Sequence, residues 1–532
     1  MMDHHEVAEV GSSPATARPR AVVSVPPLQI HYCSPMMNRS PSSLIDSTPK
    51  TPKTPKSPFA SRIMTPIASP MKKAIVSVQG YLEEVGQFTK LDRDHPHDAW
   101  LPITESRNGN AYYSTFHTLS SGIGFQALLL PLAFTSLGWS WGIVCLSLIF
   151  LWQLYTLWLL IHLHESESGT RYSRYLRLSM AAFGEKRGKL LALFPIMYLS
   201  GGTCVTLIMI GGGTMKIFFQ IVCGDTCKVT PLSTVEWYLV FTCSAMALSQ
   251  LPNLNSIAGV SLIGAITAVS YCTMIWVVSI VQGRPTSVSH DPPQSKSDVA
   301  RICSILNALG IIAFAFRGHN LVLEIQGTMP SSSKYPSRVP MWRGVKFAYL
   351  IIAMCVCPLA IGGYWAYGNL IPANGGMLDA LYKYHGHDTS KALLCLTSLF
   401  VVINSLSSFQ IYAMPVFDNF EFRYTSKFNK PCPWWLRSAI RALFGCLAFF
   451  ISVALPVLRS LAGLLGGVAL PLTLAYPCLM WIQIKKPQKT SASWFLNWAL
   501  GVSGMILSIL VVIGAICNIV TMGIKVHFFK PQ

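Results

Sequence analysis

A chain of 532 residues that is 52% hydrophobic and only 12% charged, with mean hydropathy +0.44, lies outside the range of water-soluble domains, where about a quarter of residues are charged. The formal charge of +19 does not indicate a nucleic-acid partner, because the basic residues fall between apolar runs and no stacking-and-basic module accompanies them. A polytopic membrane protein is the class that remains.

Residues 1–108 form a polar tail holding Thr48-Pro49, Thr51-Pro52, Thr54-Pro55, Ser57-Pro58, Thr65-Pro66 and Ser69-Pro70, with Lys50, Lys53 and Lys56 between them. Such a segment buries too little apolar surface to offset its ordering entropy, so a disordered cytosolic tail is expected. The Ser/Thr-Pro pattern suits kinases that act on proline-directed sites, or it is a plain Pro/Ser-rich tail. No apolar run occurs in the first hundred residues, so no cleavable leader is expected.

About twenty apolar residues cross a bilayer. On that basis runs near 111–136, 140–163, 189–221, 236–252, 255–282, 301–326, 345–368, 391–416, 438–457, 459–483 and 493–522 predict eleven membrane helices. They make an all-α transporter domain over 109–526, followed by a short extracellular end, 527–532. Loops expected inside carry Arg171, Arg174, Arg177, Lys186 and Arg187, then Lys334, Arg338, Arg343 and Lys346, then Arg423, Lys427, Lys430 and Arg437, then Lys485, Lys486 and Lys489. Loops expected outside carry fewer, which places the amino terminus in the cytosol and the carboxyl terminus outside. Most of the 15 cysteines lie in apolar runs as small hydrophobes. Cys223 and Cys227 share an outside loop and are a candidate disulfide.

Two apolar runs are interrupted. The first breaks at Ser120-Ser121-Gly122-Ile123-Gly124-Phe125, and the second at Phe314-Ala315-Phe316-Arg317-Gly318-His319-Asn320. Paired broken helices are how secondary transporters present backbone groups to a solute near the midplane. A half-helix starting at Phe125 would aim its positive dipole end at the gap and suit a carboxylate, and carbonyls near Ser120 and Ser121 would suit an ammonium. An α-amino acid matches both fields. The alternative for Gly122 and Gly124 is close helix packing.

Arg317, His319 and Glu324 are ionisable groups at membrane depth, candidates for proton coupling or for a structural ion pair between Arg317 and Glu324. His117, one turn before the first break, reads as an interfacial histidine. Asn404, Ser405, Ser407 and Ser408 form a polar stripe that either lines the cavity or packs helices. His385 and His387 offer two ligands without a third, so no metal site is expected, and no cofactor. His319 has no nucleophile near it in sequence, which argues against an intramembrane enzyme.

The segments "FHTLSSGIGFQALLLPLAFTSLGW", "FAFRGHNLVLEIQGTMPSSSKYPSRVPMWRGV" and "SSFQIYAMPVFDNFE" resemble the plant amino acid/auxin permease family, in its lysine/histidine transporter branch, over residues 98–530. The resemblance implies the eleven-helix fold of the amino acid–polyamine–organocation superfamily, leucine-transporter-like, with a five-plus-five inverted repeat and broken first and sixth helices. It implies proton-coupled uptake of amino acids at the plasma membrane. By position it assigns substrate contacts to Ser121, Gly122, Ile123 and Gly124, with Phe314, Ala315, Phe316 and Gly318; Asn404 is added from the stripe. Two departures stand near the site: Arg317 where relatives carry a small residue, and "GFQALLLPL" where they carry a glycine-rich stretch. An amino-acid sensor and an exporter from an internal compartment are the rival readings.

Overall fold

The computed structural model describes residues 100–522 apart from 168, 225–231, 252–254, 293–296, 317, 333, 373–374 and 456–461. The Ser/Thr-Pro tail, Cys227, Arg317 and the segment 527–532 therefore lie outside the described residues. Cys223 is disulfide-bonded. Among the described residues the chain is helical, with one isolated bridge between Glu165 and Arg171 and no strand.

The helices run α1 (Ala111–Gly122), a short 3-10 turn (Phe125–Leu129), α2 (Leu130–Leu163), α3 (Tyr175–Phe183), α4 (Glu185–Cys223), α5 (Thr234–Leu248), α6 (Ala258–Val281), α7 (Asp298–Ala315) and α8 (His319–Gly327). They continue as α9 (Arg338–Tyr367), α10 (Gly376–His385), α11 (Lys391–Phe428), α12 (Trp434–Ala454), α13 (Ala462–Leu470), a π turn (Pro471–Ala475), α14 (Tyr476–Lys485) and α15 (Ala492–Met522). Local chemistry sets several starts. Asn110 caps α1 by accepting from the Tyr113 N–H at 3.0 Å, Ser297 caps α7 at Ala300, and Ser390 caps α11 at Leu393. Ser233 and Glu236 form a reciprocal capping box at α5.

Nine helical stretches of the described residues are long and apolar enough to cross a membrane, and α5 is a shorter apolar helix. The stretch Ala111–Leu163, at 53 residues, is too long for one crossing and is interrupted at Gly138, whose backbone takes φ 73° and ψ −177°. Trp141, Leu148, Leu151, Phe450 and Ile513 stand exposed on the outer surface. Water would penalise them and lipid does not. The protein is a multi-pass membrane protein.

At the centre, α1 lies against α6, α9 and α11, while α7 lies against α2, α13 and α15. Gly310 on α7 and Gly463 and Gly466 on α13 bring the two helix backbones together. The cysteine reading needs one correction: Cys303 near the start of α7 and Cys517 near the end of α15 are joined as a disulfide, their Cα atoms 5.9 Å apart. Their positions, 214 residues apart, meet because α7 begins at the end of the molecule where α15 finishes.

Candidate functional site

Both expected interruptions are present, and they face each other. The first separates α1 from the 3-10 turn at Ile123 (φ −102°, ψ 112°) and Gly124 (φ −151°, ψ −165°), both extended. The second separates α7 from α8 around Phe316 and Gly318, the latter at φ 127°. Phe125 and Phe314 meet across the two gaps with ring centroids 5.9 Å apart. A Cβ on Gly318 would lie 3.7 Å from Ser121 Oγ, so the glycine is required by its dihedral rather than by crowding.

The two ends of the first break are treated differently. Three carbonyls freed at the end of α1 each accept from a side chain: Ser120 O from Ser408 Oγ at 2.7 Å, Ser121 O from Tyr412 OH at 3.1 Å, and Gly122 O from Gln126 Nε2 at 3.0 Å. The carbonyls expected to await an ammonium thus already hold one donor apiece, supplied by α11, and keep only a second lone pair. On the far side, Gly124 gives the 3-10 turn no side-chain cap, and Gly318 gives α8 none. Neither helix start, each the positive end of its dipole, therefore carries a side-chain cap from its N-cap residue.

A hollow between the breaks is lined by Thr118, Ser121, Leu157, Gly318, Val322, Ile325, Val345 and Tyr349. It holds about 10 Å³, room for roughly one water molecule and too little for an amino acid. Of the positions expected to contact substrate, Ser121 and Gly318 border this hollow. Gly122, Ile123, Gly124, Phe314, Ala315 and Phe316 are buried and are not among its lining residues. Asn404 sits elsewhere, donating from Nδ2 to Gly264 O at 3.0 Å and holding α11 to α6.

Among the ionisable candidates, His319 is fully buried with Nε2 3.0 Å from both Gln153 O and Thr156 Oγ1. A carbonyl only accepts, so the hydrogen sits on Nε2, and Nδ1 has no partner. Glu324 is buried on α8; its Oε1 accepts from the Tyr175 N–H at 3.3 Å and its Oε2 has no partner. Arg317, its expected ion-pair mate, lies outside the described residues.

Three features escape the linear pattern. Gln153 on α2 bridges the second break, its side-chain Nε2 donating to Ala313 O at 2.9 Å while its backbone carbonyl accepts from His319 Nε2. Tyr412 has no signal of its own beyond sitting one turn after the serine stripe. His117 is not at the interface: it is fully buried, with Nδ1 2.8 Å from Ser261 Oγ and Nε2 unpartnered. Its spacing from the break is the only clue the sequence carries.

The profile described as "Transmembrane amino acid transporter protein" matches residues 107–520. The chain is 57% identical over 531 residues, spanning all of both proteins, to Lysine histidine transporter-like 8 of Arabidopsis thaliana. It is 46% identical to Lysine histidine transporter-like 7 of the same plant, over 82% of this chain and 90% of that protein. Among solved structures it is similar to a nucleobase-cation-symport-1 family transporter in a closed conformation with bromovinylhydantoin bound: TM-score 0.53, 13% identity, covering 80% of this chain and 93% of that one. These relatives are named as transporters, not enzymes. With its matched span, its apolar helices and its facing breaks, the chain belongs to the transmembrane amino acid transporter protein family.

Proposed function

We propose that the protein is a secondary active carrier that moves amino acids into the cell by proton-coupled symport and alternating access, at the plasma membrane. The observation that carries this reading is the pair of facing breaks, with two uncapped helix starts beside a hollow too small for its cargo. Two positive helix ends suit a carboxylate, and a closed hollow requires the walls to part before a solute enters or leaves. Counting the bend at Gly138 as a turn between spans and α5 as a short span yields eleven crossings, arranged as a five-plus-five inverted repeat with broken first and sixth helices. The basic loops support a cytosolic amino terminus and an extracellular carboxyl terminus. The Cys303–Cys517 disulfide supports the same orientation, since it sits at the helix ends thereby placed outside, where disulfides persist.

Among the described residues, the eight that line the hollow include no charged side chain. A lysine ammonium would find no counter-charge there, and Arg317 precedes Gly318 in sequence. We therefore assign the carrier amino acids with neutral side chains, although the relatives are named for lysine and histidine. Glu324, with one unpartnered oxygen, is assigned the coupling proton, with His319 as a neutral hydrogen-bonding strut.

Purified protein in proteoliposomes, given an inward proton gradient, tests the reading. Accumulation of a neutral amino acid that collapses when the gradient is dissipated is expected. Binding without accumulation would indicate a sensor; accumulation only against the reversed gradient would indicate an exporter. Strongest competition by lysine would overturn the substrate assignment, and uptake indifferent to a change from about pH 5.5 to about pH 7.5 would overturn the proton.

A further inference from the structure

We propose that Arg174 and Asp418, with the strap Leu101–Thr104 seated on them, form the inner gate of the carrier, whose parting opens the site to the cytosol. The proposal rests on the alternating-access reading, but its readout needs no substrate.

Arg174 stands at the start of α3, on the loop that follows α2. That loop is fastened to α8. Arg171 Nη2 donates to Met329 O at 2.9 Å and to Gln326 O at 3.4 Å, the Tyr175 N–H donates to Glu324, and Ser173 lies against Gly327. The loop and the second half of the broken helix therefore form one piece. Asp418 belongs to α11, which packs on α4 and α6. Arg174 crosses between the two pieces as a fork, Nε to Oδ2 at 2.5 Å and Nη2 to Oδ1 at 3.2 Å, with Arg174 7% and Asp418 1% exposed.

The strap precedes α1 and is seated on this fork. The Ile103 N–H donates to Asp418 Oδ1 at 3.4 Å, and Arg174 Nη2 donates to Thr104 Oγ1 at 3.4 Å. A turn is closed by Leu101 O, which accepts from the Thr104 and Glu105 N–H groups, and Ile103 within it is buried. Ile103 lies against Gly327 at the end of α8 and borders a small space with Leu321, Glu324, Met414 and Pro415. The strap Leu101–Thr104 is thus seated between Arg174, tied to α8, and Asp418 on α11.

A gate explains why charge is used here. A buried ion pair bears a desolvation cost that a packed apolar pair avoids, so it is a poor device for stability alone. When its partners separate toward the cytosol, both charges regain water, which an apolar contact cannot do. A charge pair with an apolar plug closes firmly and still has a low-energy open state.

The test places a reporter in the hollow, Thr118→Cys, and measures its modification by a membrane-impermeant thiol reagent applied to the cytosolic side of inside-out vesicles. The rate is read against the same protein without that substitution. Asp418→Asn and Arg174→Gln are expected to raise the rate roughly tenfold by shifting the population toward the inward-open state. The exchange Arg174→Asp with Asp418→Arg is expected to bring the rate back toward the parent value, and Ile103→Ala to raise it several-fold. Unchanged rates in Asp418→Asn at normal membrane abundance, or a gain seen only from the outer side, would overturn the gate. Should Asp418→Asn fail to reach the membrane, Ile103→Ala and Arg174→Lys decide, and parental rates in both would overturn it. Absent uptake by the parent protein with these rate changes intact would instead count against the transport reading.

Discussion

The two helix breaks differ in what their glycines contribute. At the first, glycine sits in extended backbone, and the freed carbonyls are held by Ser408, Tyr412 and Gln126. At the second, Gly318 takes φ 127°, a conformation that a side chain resists, and Gln153 and His319 tie the two half-helices to α2. Both breaks are thus held by side-chain partners, and the second adds a backbone conformation that glycine alone takes readily. α11 grips the acceptor end of α1, while Gly124 and Gly318 give the donor ends no side-chain cap.

Substitutions sharpen this contrast. The largest effect is expected at Gly318, where a non-glycine residue costs about 1–3 kcal/mol of backbone strain. Gly318→Val should abolish uptake at normal surface abundance, measured by surface biotinylation alongside radiolabelled uptake; ordinary uptake would mean that the second break is not set by its dihedral. Next is Tyr412→Phe, which removes one donor from Ser121 O. A hydrogen bond worth about 0.5–1.5 kcal/mol predicts a roughly two- to tenfold fall in uptake, deeper when combined with Ser408→Ala. Equal uptake in the double variant would remove α11 from the account of the first break. The smallest effect is Gly122→Ala, whose new Cβ would come 2.7 Å from the flexible tip of Ile352. About a twofold loss is expected, restored by Ile352→Val, because the crowding involves a side-chain end rather than backbone. Failure of that rescue would show that Gly122 is needed for its conformation, as Gly318 is.

Much of this architecture is legible in one dimension, for definite reasons. Apolar run length reports the membrane crossings, because lipid imposes a fixed thickness and forbids unpaired backbone. Gly122, Gly124 and Gly318 fall at the breaks, whereas Gly310, Gly463 and Gly466, also within apolar runs, pack one helix on another. Asn404 reads as a cavity residue because a polar stripe at helical spacing has two faces, and periodicity alone does not say which face meets the site. His117 reads as interfacial because its distance from the break says nothing of how deeply α6 covers it.

The sequence by itself determined that this chain crosses a bilayer many times, that two of its helices are interrupted, and which residues interrupt them, since these follow from local hydropathy and the conformational freedom of glycine. Only the tertiary structure decided that the gaps face one another, that Ser408 and Tyr412 cap the first, that Cys303 meets Cys517, and that Arg174 reaches Asp418. Each of those joins residues far apart along the chain, and which distant groups meet is set by how the helices pack, a property no local stretch of residues contains.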